Sequence, residues 1–126
     1  RVITATVINE THALGIVLVS QAFESNCWTA ISLGANTPAT AIADAARDFG
    51  CDVIALSANM VLYVCQTADL IASLRAHPAT ASIPIIVGGQ PFNVVDDLWQ
   101  VVGADGSASN AMECPAVAER LLASRS

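Results

Sequence analysis

The sequence predicts an α/β fold: a doubly wound, five-stranded parallel sheet with helices on both faces. Three observations point there. Strand-like and helix-like segments alternate five times along the 126 residues, and alternation at that spacing builds a parallel sheet from right-handed crossovers. Apolar residues make up 54% of the chain, enough for one sizeable core. The run IPIIV at 83–87 is apolar throughout, as suits a strand buried on both faces.

The elements follow in order. Residues 2–7 form a short β-rich run. Residues 15–25 carry Ile16, Val19 and Phe23 at helical spacing. A second strand covers 27–33 and ends at Gly34. Thr37 as N-cap and Pro38 as first helical residue open an Ala-rich helix that runs to Phe49 and stops at Gly50. Residues 52–57 are a third strand, and 64–76 a helix that ends at His77 and Pro78, because a residue before proline avoids the helical region. The fourth strand, 83–87, is closed by Gly88 and Gly89. A helix over 93–102, a short strand over 104–107 and a helix over 115–123 complete the chain. The expected strand order is 2-1-3-4-5, the flavodoxin-like (Rossmann-like) solution. Residues 1–126 read as a single domain without repeats or linkers, and the opening on Arg1 rather than Met suggests one excised from a longer chain.

Charge removes several function classes. The net charge is −6, with arginines only at 1, 47, 75, 120 and 125 and no lysine. A nucleic-acid surface needs clustered cations to displace counterions, and an anionic membrane surface needs them too. Cys27, Cys51, Cys65 and Cys114 form no metal-ligand spacing. They read as core or near-core thiols in a reducing cytosol, so the expected location is cytoplasmic. No apolar run reaches 18 residues, and no signal peptide is expected.

In such a sheet, ligands sit beyond the carboxyl ends of the strands, at the switch point between strands 1 and 3. That nominates the loops at 8–15, 57–64 and 88–92. A phospho-acceptor receiver would need an acidic cluster after strand 1, an aspartate ending strand 3 and a lysine; the chain has Ser57-Ala58-Asn59 and no lysine. A flavodoxin-type phosphate loop would be richer in Ser, Thr and Gly than INETHALG. No G-x-S-x-G nucleophile elbow occurs.

Within INETHALG, Glu10 and His12 are separated by one residue, so in extended backbone they point the same way. A carboxylate that accepts from one ring nitrogen fixes the tautomer and frees the other nitrogen for a metal. One protein ligand is too few for a tight zinc site. A metal at His12 would therefore arrive with its own equatorial ligands.

ATVINETHALG (5–15) resembles the signature of the B12-binding domain family, D-x-H-x-x-G after a strand ending in ATV. The family also has a serine ending strand 3 and a glycine pair ending strand 4, here Ser57 and Gly88-Gly89. The resemblance spans about 2–122. It implies cobalamin, as adenosylcobalamin or methylcobalamin, bound with its dimethylbenzimidazole off the cobalt. His12 would be the lower axial ligand of the cobalt and Glu10 would tune it. The nucleotide tail would pass Gly15, and Ser57 would hydrogen-bond the base. Gly88 and Gly89 would leave room for the tail. Glu10 replaces the usual aspartate, Asn9 a common glycine, and Asn59 the leucine of S-x-L, where it would add a polar contact or weaken the packing of the base. Met60, Leu62 and Tyr63 would lie near the corrin edge or cover the sheet end. His77 reads as a surface helix cap, and Trp28 and Trp99 as packing residues.

Such a domain presents the lower corrin face, so the upper face needs a capping domain or partner protein, and no catalysis is expected from this chain alone. LGANTPATAIADAA (33–46) and LSANM (56–60) look more like a regulator, with a light-responsive sensor among the options, than like the mutase branch with its charged DGHDRG-like loop. The alternatives are a corrinoid carrier for a methyltransferase or mutase, and a haem-binding sensor of the same fold.

Overall fold

The structure is a computed structural model and describes residues 1–6, 14–34, 37–58, 64–89, 92 and 97–124. Five strands form one sheet: β1 Val2–Thr6, β2 Ala30–Ser32, β3 Val53–Ser57, β4 Ile85–Gly88 and β5 Gly106–Ser107. All neighbours are parallel, in the order β2-β1-β3-β4-β5. The described helices are α1 Leu14–Ser25, α2 Ala39–Phe49, α3 Val64–Ala76, α4 Leu98–Val101 and α5 Cys114–Ala123, with a 3₁₀ turn over Ala111–Glu113 before α5. The predicted fold class and strand order are both present.

Side-chain alternation splits the core into two layers. Ile3, Ile54, Leu56, Ile85 and Val87 face α2 and α3, where Ile42, Leu70, Ile71 and Leu74 meet them. Val2, Val53, Ala55 and Ile86 face α1 and α5, packing with Phe23, Val117 and Ala118. The second layer carries hydroxyls as well: Thr4 Oγ1 and Ser20 Oγ lie 2.6 Å apart, both buried, and tie β1 to α1.

Boundaries differ from expectation where the local chemistry is not that of a glycine. Strand β2 starts at Ala30, not at 27, because Cys27 has φ 67° and terminates α1. Trp28 N–H donates to Phe23 O and Cys27 N–H to Glu24 O, the paired bonds of a Schellman end. The Phe23 and Trp28 rings close it edge to face at 5.1 Å. Pro38, rather than Thr37, is the N-cap of α2, and Thr37 Oγ1 donates instead to Gly34 O. Strand β4 begins two residues late and takes Gly88 into the sheet. Of the helix expected at 93–102, residues 93–96 lie outside the described residues, and Asp97, at φ 62°, precedes the short α4.

Trp28 and Trp99 pack against the two cores as expected. His77 sits at the end of α3, where its Nδ1 accepts from Ala79 N–H. Some of the cysteines depart from the core reading: Cys27 and Cys65 are exposed, and Cys51 is half-buried.

Candidate functional site

Register sets the site. Thr6, Ser57 and Gly88 stand in line at the carboxyl ends of β1, β3 and β4. Ser57 and Gly88 share parity with Ala55 and Ile86, so both lie on the face that α1 and α5 cover. Between that face and those helices is a cavity of about 290 Å³. Ser57, Gly88 and Gly89 form its sheet wall, Ile16 and Val19 of α1 the opposite side, and Ala108 and Cys114 its far end.

The cavity is mostly apolar. Ser57 is 5% exposed and places a hydroxyl-bearing residue in its wall. Burial pushes the Cys114 thiol up to about 11, with Glu113 reinforcing the shift, so the thiol is uncharged at neutral pH. At the rim, Asn110 accepts from Glu113 N–H through its side chain and caps the 3₁₀ turn.

The two glycines have different reasons to be glycine. A Cβ built on Gly88 meets only Ala108 O, at 3.8 Å, an ordinary contact. Room at that position therefore faces the cavity. Gly89 has φ 121°, and a Cβ there would come within 1.9 Å of Ala58 O. Its requirement for glycine comes from the chain's own backbone, a reason separate from any ligand.

The predicted residues Ser57, Gly88 and Gly89 converge on this one edge. Gly15 lies in the first turn of α1, the helix that covers the cavity. Glu10, His12, Asn59, Met60, Leu62 and Tyr63 lie outside the described residues. Both ends of the segment carrying Glu10 and His12 are described: Thr6 pairs with Ser57, and Leu14 starts α1. Among the described residues no group of three or more His, Cys, Asp or Glu side chains could hold a metal ion. No described helix is long and apolar enough to cross a membrane.

Sequence reasoning misses Ile16, Val19, Ala108 and Cys114 as lining residues. A signal for the last two exists: strand 5 ends on the same sheet edge as strands 3 and 4, so the switch-point rule extends to its loop. A slot near the ~300 Å³ lower bound of small-molecule sites, apolar but for a buried hydroxyl, fits a flat heteroaromatic base and is too small for a whole corrin ring.

Comparison with known proteins agrees. The B12 binding domain model matches residues 1–115. Dimethylamine corrinoid protein 1 of Methanosarcina acetivorans is 28% identical over 123 residues, 97% of this chain and 56% of that protein. The structure of the Methanosarcina barkeri monomethylamine corrinoid protein superimposes with a TM-score of 0.82 at 28% identity, over 95% of this chain and 57% of that one. A cobalamin-binding protein from Desulfitobacterium hafniense DCB-2 shares the fold, with a TM-score of 0.83 at 24% identity, over 94% of this chain and 57% of that one. The chain thus spans little more than half the length of these proteins. Haem, the weaker expectation, gains no support from these matches. With a B12-binding match over most of its length and the corrinoid-protein fold, this chain belongs to the B12-binding domain family and is a cobalamin-binding module.

Proposed function

We propose that this module carries a corrinoid for methyl transfer, working beside a methyltransferase partner and a domain or subunit that covers the upper corrin face. The cavity behind Ser57 and Gly88 carries the base-off part of this reading, since it offers the nucleotide base a place away from the cobalt. The choice of carrier rests on the relatives, two of which are named as methylamine corrinoid proteins and are each 28% identical to this chain. The regulator favoured by the sequence alone, with light as one option for its signal, has no comparable support.

In this reading, bound cobalamin supplies a cobalt centre able to take up and release a methyl group. The chain's own residues hold and orient it. His12 would be the protein's ligand to the cobalt. Glu10 would accept a hydrogen bond from the proton-bearing ring nitrogen of His12 and so fix its tautomer. Ser57 donates to or accepts from the buried base, removing the cost of an unpaired ring nitrogen. Gly88 leaves space for the tail, and Ile16, Val19 and Ala108 exclude water from it.

The test is methylation of the corrinoid-loaded chain. The reduced, loaded protein is mixed with a methylated amine and a methyltransferase specific for that amine, and its visible spectrum is followed in the dark. Appearance of the methylcobalamin spectrum at catalytic methyltransferase concentrations supports the carrier. An unmethylated chain that instead changes oligomeric state under green light would return the regulator to first place.

A further inference from the structure

We infer that the cavity beside Ser57 selects the lower base of its corrinoid, accepting a benzimidazole and rejecting an aminopurine, and that Cys114 is the wall residue that enforces the choice. This rests on the reading above, in which the tail occupies this cavity.

Hydrogen-bonding side chains are few along the described lining, and several of the backbone N–H groups there are already engaged. Ala58 N–H donates to Gly88 O at 3.1 Å, and Ala108 N–H to Val87 O at 3.3 Å. Cys114 N–H donates to Ala111 O. Ser109 and Asn110 are exposed and stand at the rim, and the Asn110 side-chain oxygen is occupied by Glu113 N–H. Among the described lining residues this leaves Ser57 as the buried side chain with a strong hydrogen-bonding group.

A benzimidazole released from cobalt exposes one ring nitrogen, and one hydroxyl satisfies it. An aminopurine brings an exocyclic amine and further ring nitrogens. Each of these, buried without a partner, costs on the order of tenfold in affinity. Cys114 is 4% exposed and opens α5 at the cavity's end. A neutral thiol is a weak donor and a weak acceptor, so this wall offers the extra groups almost nothing. A serine there would have nearly the same shape and a strong hydroxyl.

The probes are two corrinoids that differ only in the lower base, dimethylbenzimidazole or adenine, both as dicyano forms. Cyanide on both axial positions frees either base from cobalt and removes histidine ligation, so the comparison reads the tail alone. Affinity is measured by quenching of tryptophan fluorescence, and circular dichroism verifies each variant's fold. The benzimidazole form is expected to bind at least about tenfold tighter. Cys114→Ser is expected to shrink that ratio about threefold or more by improving the adenine form. Cys114→Ala adds no polar group and is expected to keep the ratio high. Equal affinities in the wild-type chain, or a ratio that Cys114→Ser and Cys114→Ala leave alike, overturns the inference but not the tail's location. If Ser57→Ala changes the binding of neither corrinoid, the tail does not lie in this cavity, and the inference falls together with the base placement in the proposed function, while the carrier role, which rests on the relatives, stands.

Discussion

Ser57 and Gly88 are register partners at the carboxyl ends of β3 and β4, on the sheet face that α1 and α5 cover. Any side chain at position 88 would enter the cavity beside the Ser57 hydroxyl. Gly88→Val should fold, because a Cβ there finds only Ala108 O at 3.8 Å, yet its cobalamin affinity should fall about tenfold or more as the slot fills. Ser57→Ala should cost about 1 kcal/mol of binding by leaving the base unpaired. Titration of both variants with cobalamin, alongside thermal melts, separates these binding losses from loss of fold.

Gly89 should behave in the opposite way. Its φ is 121°, and only 1.9 Å would separate an added Cβ from Ala58 O, so no side chain fits without moving the end of β3. Gly89→Ala is expected to lose more than about 2 kcal/mol of stability, read as a lower denaturation midpoint in urea. An unchanged midpoint would mean that the Ala58–Gly89 approach is not tight.

At the opposite end of the sheet, Arg75 gathers three partners. Its guanidinium meets Asp105 Oδ2 at 2.6 Å, Ile83 O at 3.0 Å and Gly103 O at 3.2 Å. Asp105 Oδ2 also accepts from Ile85 N–H at 2.8 Å. The pair is about one-third exposed, so its charge attraction is partly screened, and the backbone bonds carry most of its value. Asp105→Ala should cost about 1–3 kcal/mol, while Asp105→Asn, which keeps an acceptor for Ile85, should cost less. Urea titration measures both, and neither variant should alter cobalamin affinity of the folded chain.

The buried thiols give a pH dependence with a definite sign. Cys114 is raised from 9.0 to about 11 by burial and then by Glu113. Cys51 is raised similarly by burial and then by Asp52, with the N-terminal ammonium opposing. A raised folded-state value means the native chain keeps its proton longer, so this stability is intact below pH 9 and is lost as pH climbs through 11. For Cys114 the loss approaches roughly 2–3 kcal/mol; for the more open Cys51 it is smaller. Urea midpoints between about pH 8 and 11 should therefore fall, and Cys114→Ser should flatten that slope. Iodoacetamide at about pH 8 should label exposed Cys27 and Cys65 well before Cys114.

Much of this architecture was legible because the signals were local. The IPIIV run, the Gly34 and Gly50 stops and the Pro78 breaker placed most elements, and the switch-point rule placed Ser57 and Gly88 on one edge. What the sequence hid depended on tertiary context. Cys27 takes a left-handed conformation normally signalled by glycine, held by Phe23 packing on Trp28. The register that joins Ser57 to Gly88 also brings in Ala108 and Cys114, residues whose types carry no ligand signal. Gly88 and Gly89 look identical in sequence, and only backbone geometry separates room for a ligand from room for Ala58.

The most direct measurement is electron paramagnetic resonance of the cobalamin-loaded chain, reduced to the Co(II) state, with and without ¹⁵N-labelled histidine. The chain has two histidines, so His12→Ala and His77→Ala assign any effect. If His12 is the lower ligand and the base lies in the cavity, labelling changes the nitrogen splitting of the cobalt signal, His12→Ala abolishes the change, and His77→Ala preserves it. A splitting that ignores histidine labelling, with benzimidazole still on the cobalt, would contradict base-off binding.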